Sequence, residues 1–194
     1  MTELWLALSL ATPAHANPSV AASASTFRSE PLVGHALFDL RGGVSAGGGS
    51  ANPMICAELA AHRNFDVEAC GTGGGFLYPE AGEEMMHIRA EGQIPLWERG
   101  RGELWFQPGL GMAEIQKGED EPGFRFGPAS AADQHDGAGI EASASLKGRW
   151  WIGDWVYLVG ELSAGAAYIA AAPVVLDQDS EIVPFVTGTI GVGF

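Results

Sequence analysis

The sequence has few basic residues and no long apolar run. Lysine and arginine together number 10, against 24 aspartates and glutamates, and the formal net charge is −14. Proteins bind nucleic-acid phosphates through clustered Lys and Arg, so this composition argues against a nucleic-acid partner. No stretch approaches the roughly 20 apolar residues that a transmembrane helix needs. If the chain enters a membrane, it must therefore do so as β-strands.

The sequence also lacks segments with the periodicity of an amphipathic helix. Because 46% of the 194 residues are apolar, the chain is nevertheless expected to fold. Beyond the first 32 residues, the sequence alternates with a period of two instead. In residues 86–97 the even positions carry apolar side chains such as Met86 and Ile88, and the odd positions carry His87 and Arg89. Successive side chains of a strand point to opposite faces, so this segment predicts a strand with one apolar and one charged face.

Eight segments of the chain show this alternation. They comprise residues 36–41, 55–59, 65–69, 86–97, 104–112, 140–151, 155–169 and 186–194. The connections between them alternate between long and short, in the order "GGVSAGGGSANP", "HRN", "FLYPEAGEE", "ERGRG", residues 117–136, "IGD" and "AAPVVLDQDS". Outer-membrane barrels have an even number of strands, short periplasmic turns and longer outer loops. The pattern therefore predicts an all-β fold: an eight-stranded antiparallel up-and-down transmembrane β-barrel with short periplasmic turns and longer extracellular loops.

The period alone also fits a soluble, lipocalin-like ligand-binding barrel with its apolar face turned inward. Three features favour the inside-out orientation. The polar face carries many charges of both signs, the terminal Phe194 falls on the apolar face, and aromatic residues flank the connections. These aromatic residues are Trp97, Trp150 and Trp155 near the short turns and Phe76, Tyr78 and Tyr168 near the long loops. Amphipathic rings form such girdles at both interfaces of a membrane barrel.

With this strand count, these loops and the terminal "TIGVGF", residues 33–194 resemble the small eight-stranded outer-membrane barrels, those like OmpX and the membrane domain of OmpA. The resemblance implies a location in the bacterial outer membrane, in contact with its lipids. It also implies that Ile190, Val192 and Phe194 form a C-terminal signal that the barrel-assembly machinery reads. No motif identifies a closer family or an extracellular partner.

The first 32 residues precede the alternating segments. Residues 1–16 combine a short apolar core with "AHA", the small-x-small form of a cleavage site, and predict a signal peptide that is cleaved after Ala16. No Lys or Arg precedes the apolar core, so a short N-terminal helix is the alternative. Residues 17–32 are rich in Ala and Ser and predict a flexible lead-in to the barrel.

If the apolar face meets lipid, the polar face lines the lumen. The lumen charge network then comprises His35, Asp39, Arg41, Glu58, Asp66, Glu68, His87, Arg89, Glu91, Glu103, Glu141, Lys147, Arg149 and Glu161. Buried charges must pair or be neutralised, and an eight-stranded interior is just filled by side chains. We therefore expect an ion-pair network that closes the barrel and not a wide pore. A narrow, gated proton or cation path is the alternative.

Cys56 and Cys70 are the only two cysteines. Around the short "HRN" turn, residues whose numbers sum to 126 lie opposite each other, which pairs Cys56 with Cys70 and Glu58 with Glu68 on the lumen face. An even number of cysteines in an exported chain favours a disulfide. Two free thiols and metal ligation are the alternatives.

Signals for catalysis are weak. Some small outer-membrane barrels are lipid A deacylases or acyltransferases, whose Ser and His lie near the outer rim. The candidate residues here are His135 with Ser130, Asp133 and Asp136 in the long loop, and His87 in a strand. The glycine-rich residues 71–75 lack the Lys and Ser/Thr of a phosphate-binding loop. We therefore expect a structural or surface-interaction role without a catalytic, cofactor or metal site; a lipid-modifying enzyme is the alternative.

Overall fold

The structure is a computed structural model, which describes residues 38–47, 50–62, 64–72, 83–118, 124–128 and 135–194. In these ranges it contains nine strand segments and one short helix. They are β1 (Phe38–Gly47), β2 (Ser50–His62), β3 (Phe65–Gly71), β4 (Glu83–Gly92), β5 (Ile94–Arg99), β6 (Gly102–Lys117), β7 (Asp136–Trp151), β8 (Tyr157–Tyr168), α1 (Ala172–Val175) and β9 (Ile182–Gly193). No helix in this part of the chain is long and apolar enough to span a membrane. The predicted signal peptide and lead-in lie outside the described residues.

The strands form one closed antiparallel ring. Their order around the ring is β4, β3, β2, β1, β9, β8, β7, β6 and β5, and β4 also pairs with β6. β4 and β5 are two parts of one barrel strand, because both pair with β6 and only Gln93 separates them. The predicted eight-stranded antiparallel barrel is therefore confirmed. Its seam, where the first strand meets the last, is the pair β1 and β9.

Apolar side chains cover the outside of this ring, and polar side chains fill most of the inside. Leu110, Ile140 and Ile190 on the outer face are 70%, 68% and 76% exposed, whereas Asp39 and Lys147 on the inner face are buried. The period-two pattern produces this segregation, because alternate side chains of a strand point to opposite faces. A lipocalin-like binder needs the reverse orientation, which this barrel does not have.

The first connection is much shorter than the sequence predicts. β1 runs to Gly47 and β2 begins at Ser50, so most of "GGVSAGGGSANP" belongs to the two strands. Small side chains conceal the strand period in this stretch, but pairing with β9 extends β1 through it. A Cβ atom at Gly43 would overlap the carbonyl oxygen of Gly188 on β9, so the close approach of the strands requires glycine there. The prediction of a long first loop is wrong.

The other connections keep the predicted alternation. Short turns join β2 to β3, β5 to β6 and β7 to β8 at one end of the barrel, which we call the turn end. Longer segments join β3 to β4, β6 to β7 and β8 to β9 at the opposite end, which we call the loop end. Phe38 and Phe194, at the seam, both lie at the turn end.

Apolar side chains close the loop end of the lumen. The helix α1, which the sequence analysis did not predict, lies in the connection from β8 to β9, and its Ala172 and Val175 are buried. They pack with side chains from the strand ends. This apolar cap comprises Met85, Ala113, Ile115, Ala167, Ile169, Ala171, Ala172, Val175, Leu176, Val183 and Phe185. The largest hydrophobic cluster of the described residues therefore lies at one end of the lumen.

Candidate functional site: the filled lumen

The middle of the lumen is a layer of ion pairs centred on Arg41 of β1. Its guanidinium group donates hydrogen bonds to Asp39 on the same strand at 2.8 Å and to Glu58 on β2 at 2.9 Å. It also donates to Glu68 on β3 and to Glu161 on β8. Arg41 is fully buried, so these four carboxylates replace the water that a charged group would otherwise bind.

β7 contributes two further cations to this layer. The Lys147 ammonium group pairs with Glu58, and it lies 3.6 Å from a carboxylate oxygen of Asp39 and 3.5 Å from one of Glu161. Arg149, the next inward position toward the turn end, lies 3.5 Å from Glu58. Both cations therefore share Glu58 with the arginine on β1.

Arg89 of β4 connects opposite walls of the barrel. Its guanidinium group pairs with Glu68 on β3, with Glu91 on its own strand at 3.0 Å, and with Glu161 across the lumen at 3.2 Å. It also donates a hydrogen bond of 3.1 Å to the hydroxyl of Ser163 on β8. A single side chain thus contacts groups from three strands.

Asp66 lies at the edge of the layer that faces the turn end. Its carboxylate accepts hydrogen bonds from the amides of Gln93 and Gln107, and it lies 3.6 Å from Arg149. With it, the charged layer contains six carboxylates and four basic side chains. The members of the charged layer are Asp39, Glu58, Asp66, Glu68, Glu91, Glu161, Arg41, Arg89, Lys147 and Arg149.

Four of these carboxylates are close enough to share a metal ion. One oxygen from each of Glu58, Glu68, Glu91 and Glu161 lies within 4.8 Å of the others. Each of the four already contacts an arginine, and Arg41 contacts three of them. A divalent cation would have to displace these guanidinium groups, so the arrangement fits an ion-pair network better than a metal site. The absence of metal and cofactor sites stays a prediction.

His87 and Glu141 lie between the charged layer and the apolar cap. Nδ1 of His87 on β4 and a carboxylate oxygen of Glu141 on β7, two strands away around the ring, form a hydrogen bond inside the lumen. The imidazole ring also packs on Phe185 of the cap, with 4.4 Å between the ring centroids. His87 therefore contacts a charged group on one side and the hydrophobic cluster on the other.

Aromatic rings lie at the turn end of the lumen. The guanidinium carbon of Arg149 is 5.8 Å from the ring centroid of Trp105 and 5.5 Å from that of Tyr157, within the range of cation–π attraction. The Trp151 ring packs on Tyr157 with 5.0 Å between centroids. We call Trp105, Trp151 and Tyr157 the aromatic floor of the lumen.

Glu103, which the sequence predicts in the lumen charge network, contacts this floor. Its carboxylate accepts hydrogen bonds from the indole Nε1 of Trp151 at 2.7 Å and of Trp105 at 3.2 Å. It lies near the start of β6, where the strand register pairs it with Arg149 of the charged layer. The hydrogen bonds that its side chain accepts are donated by indoles.

Cys56 and Cys70 form the predicted disulfide between β2 and β3. The strand register pairs Cys56 with Cys70 and Glu58 with Glu68, as the short turn predicts. Both cysteines face the lumen and are 1% and 4% exposed. The alternatives of two free thiols and of metal ligation do not hold in this structure.

No protein-family model and no curated protein matches this chain. Its fold does match solved structures. Neisserial surface protein A shares 10% sequence identity with it, over 80% of this chain and 92% of that one, with a TM-score of 0.51. The chain has the fold of a small outer-membrane β-barrel. The resemblance that the sequence indicates is therefore confirmed at the level of the fold.

Two further matches have lower TM-scores. Ail of Yersinia pestis, solved in complex with the heparin analogue sucrose octasulfate, is 7% identical over 80% of this chain and 93% of that one, with a TM-score of 0.37. The outer membrane protein OprG from Pseudomonas aeruginosa is 13% identical over 82% of this chain and 96% of that one, with a TM-score of 0.42.

The structure describes three of the candidate catalytic residues, His87, His135 and Asp136. Asp136 pairs with Arg125 at 3.2 Å, and the backbone carbonyl of His135 accepts a hydrogen bond from the backbone of β6. Gly71, from the glycine-rich stretch, is the last residue of β3. The candidates that lie outside the described residues are His35, residues 73–75, Phe76, Tyr78, Ser130 and Asp133.

The C-terminal residues lie on the outer face at the seam. Ile190, Val192 and Phe194 are all exposed. The backbones of Phe38 and Phe194 exchange hydrogen bonds of 3.1 and 2.9 Å, and their rings pack with 5.8 Å between centroids. The last residue of the chain therefore helps to close the ring, while its role as an assembly signal stays a prediction.

The period-two pattern does not predict the apolar cap. Ile115, Val183 and Phe185 occupy inner positions on β6 and β9, where the middle of the barrel carries polar side chains, and Ile169 directly follows β8. The signal was present as runs with apolar residues at both parities, such as "EIVPFV" and "YIAAAPVV". Periodicity assigns such a run to neither face, so these positions could not be separated from the lipid-facing set.

Proposed function

We propose that this chain is a bacterial outer-membrane β-barrel protein with a structural or surface-interaction role and a closed lumen. The outer surface is the main support for the membrane location, because every strand of the closed ring exposes large apolar side chains. Soluble monomers rarely expose contiguous apolar surface of this extent, and a closed barrel pairs its backbone groups as lipid requires. Trp97, Trp150 and Trp155 are exposed at the turn end and supply an interfacial girdle.

Three filled levels support a closed lumen: the apolar cap, the charged layer and the aromatic floor. A permeating ion would lose its hydration among the apolar side chains of the cap. It would also have to part guanidinium groups from their carboxylates in the charged layer. The excess of carboxylates over basic side chains favours the alternative of a narrow cation path, but the cap opposes it.

The connections at the loop end are rich in acidic residues. The three long connections and the adjoining strand ends contain Glu80, Glu83, Glu84, Glu119, Asp120, Glu121, Asp133, Asp177, Asp179 and Glu181, besides the buried Asp136, against Lys117 and Arg125. Charge complementarity accelerates and selects association, so we infer that an extracellular partner is cationic at its contact surface. A polyanion such as the heparin analogue bound to Ail would be repelled.

We propose no catalytic activity. His87 contacts Glu141 and Phe185 and not a nucleophilic side chain, and general-base catalysis needs the nucleophile within hydrogen-bond reach. A strain that lacks this protein is expected to contain unchanged lipid A by mass spectrometry. Loss of a deacylated or newly acylated lipid A species in that strain would support the enzymatic alternative instead.

Purification in detergent tests the barrel and its membrane location together. The protein is expected to remain in solution only with detergent or lipid, and to migrate differently on gels when it is loaded without heating. A folded protein that stays monomeric in buffer without any amphiphile would contradict the membrane location.

Planar-bilayer recording tests the closed lumen. Inserted protein is expected to produce no steady conductance in potassium chloride, since the cap and the charged layer fill the axis. Reproducible cation-selective openings would instead support the narrow ion path.

Two further proposals concern export and assembly. We propose that residues 1–16 are removed as a signal peptide, so that sequencing of the mature protein begins at Asn17.

We also propose that the barrel-assembly machinery reads Ile190, Val192 and Phe194. Their position on the outer face of the terminal strand supports this role. Removal of Phe194 is then expected to lower the fraction that reaches the heat-modifiable form in cells.

A further inference from the structure

The Cys56–Cys70 disulfide is enclosed on all sides within the lumen. Its register neighbours are Arg41 on β1 and His87 on β4, both of which are buried and engaged in ion pairs or hydrogen bonds. Met54, the next inward position of β2 toward the loop end, packs with the two cysteines. The bridge therefore lies among side chains that are held in place by partners from other strands.

Both routes along the barrel axis to this bridge are filled. From the loop end, the apolar cap lies across the lumen, with α1 packed against the strand ends. From the turn end, the aromatic floor and the charged layer intervene. The barrel wall itself is a closed ring of paired strands. Within the described part of the barrel both cysteines are buried, so a molecule of the size of glutathione does not reach the sulfur atoms while the barrel stays folded.

Disulfide formation by exchange needs more room than the finished bond occupies. A cysteine thiolate first attacks the disulfide of a carrier, which forms a mixed disulfide and releases one carrier thiol. The second cysteine thiolate then attacks the cysteine sulfur of that mixed disulfide, which forms the bridge and releases the second carrier thiol. The two cysteines lose two protons and two electrons, and the carrier disulfide gains them as two thiols. The intermediate requires the carrier to be bonded to Cys56 or Cys70.

We propose that Cys56 and Cys70 are oxidised by a disulfide-bearing carrier before the barrel closes, and that closure then shields the bridge from thiol and disulfide reagents. The substrate of this oxidation is the unfolded chain or the isolated β2–β3 hairpin. The two cysteines are 14 residues apart around one short turn, so their encounter needs no contact with the rest of the barrel. The inference rests on the fold and on burial, and it is independent of the membrane location.

Reduction of the native protein provides the first test. The oxidised barrel is folded in detergent, treated with dithiothreitol and sampled over time, and free thiols are counted by alkylation and mass spectrometry. The same chain in denaturant is the reference. We expect thiol release from the folded barrel to be slower by on the order of 100-fold or more, because reduction has to await opening of the structure. Equal rates in the two states would overturn the proposal.

Oxidation of the reduced chain provides the second test. The chain is folded in detergent under reductant, transferred to glutathione disulfide and compared with the reduced chain in denaturant. We again expect bridge formation to be slower in the folded state by on the order of 100-fold or more. The control is Asn64→Cys, on the exposed turn of the same hairpin, in a Cys56→Ser/Cys70→Ser background. This thiol should form its mixed disulfide with glutathione at similar rates in the folded and denatured states.

The control makes the second test decisive. A folded, reduced barrel whose Cys56 and Cys70 oxidise as quickly as the Asn64→Cys thiol reacts would overturn the proposal. A reduced chain that does not reach the heat-modifiable form would support it, because oxidation would then have to come first.

Discussion

Arg41 shows how a charge is held inside this barrel. Its four carboxylate partners come from four strands, and the guanidinium fork with its several donors is suited to contact them together. Removing two charges from water is costly, and the attraction between them offsets that cost only when the geometry is good. Removal of this one central cation therefore deprives several buried carboxylates of a counter-charge at the same time.

The first prediction concerns the loss of this central cation. Arg41→Met retains a long side chain but leaves Glu58, Glu68 and Glu161 with fewer cations, and we expect it to lower the free energy of unfolding by about 3–5 kcal/mol. The measurement is denaturant unfolding in lipid vesicles, followed by gel mobility without heating. Arg99→Met, on the exposed segment β5, is the matched control and should change the free energy by about 0.5 kcal/mol or less. Equal effects of the two substitutions would contradict the central role of Arg41.

The second prediction concerns two adjacent glycines on β1. A Cβ atom at Gly43 would overlap the backbone of β9, whereas one at Gly42 would meet no atom within 4 Å. Gly43→Ala is therefore expected to reduce the unfolding free energy by about 1–3 kcal/mol through strain at the seam. Gly42→Ala should change it by about 1 kcal/mol or less, and should be neutral or stabilising. The same unfolding assay measures both, and a neutral Gly43→Ala variant would show that the seam can widen.

At the scale of single elements, the two ends of the barrel differ most from its regular middle, where every strand pairs with two neighbours and polar side chains face inward. β5 pairs with β6 alone among the described strands, because the turn from β2 to β3 ends before reaching it. Pro95 lies in this segment, and proline is tolerated on a strand with one open edge because it lacks a backbone N–H. At the other end of the barrel, α1 brings apolar side chains into the lumen mouth, which a short polar loop would leave open.

The third prediction tests whether α1 holds the cap in place. Val175 is 2% exposed and Val174 is 48% exposed, although they are neighbours in the same short helix. Val175→Asp would bury a carboxylate among apolar side chains, and we expect a loss of about 2–4 kcal/mol in unfolding free energy together with faster proteolysis of the β8–β9 connection. Val174→Asp is the control and should behave like the native protein. Equal proteolysis rates for the two variants would indicate that the cap does not depend on α1.

At the scale of the whole molecule, the orientation of the two faces decides which solvent the barrel requires. The outer face exposes Leu110 near the middle of β6 and Ile152 in the turn that follows β7. In a bilayer, the cost of a charge on the lipid face depends on depth and is greatest at the midplane. In water, both of these exposed positions would accept a charge at little cost.

The fourth prediction uses this depth dependence. Leu110→Arg is expected to reduce the free energy of unfolding in lipid vesicles by about 2–4 kcal/mol, and Ile152→Arg by about 0–1 kcal/mol. Reversible unfolding titrations with urea would measure both values. Similar, small effects at the two positions would argue that the outer face does not contact hydrocarbon.

Local pattern predicted much of the candidate site. The alternation in "EMMHIRAEGQI" assigned Arg89 and Glu91 to the inner face, and the short turn after β2 predicted the register that pairs Cys56 with Cys70. The indole groups that donate to Glu103 were not predicted, since which side chains meet inside the lumen depends on how the strands are staggered. The long first loop was predicted wrongly because Gly, Ala and Ser leave strand periodicity unmarked.

The amino-acid sequence by itself determined the number of strands and which side chains point inward, because both follow from the spacing of near neighbours along the chain. Only the tertiary structure decided which charges meet, since Arg41 and Glu161 are 120 residues apart and come together through closure of the ring. The tertiary structure also decided that α1 and the strand ends form an apolar cap. The cap residues come from β4, β6, β8, β9 and the connection that holds α1, and their burial depends on these separate parts of the chain meeting at one end of the barrel.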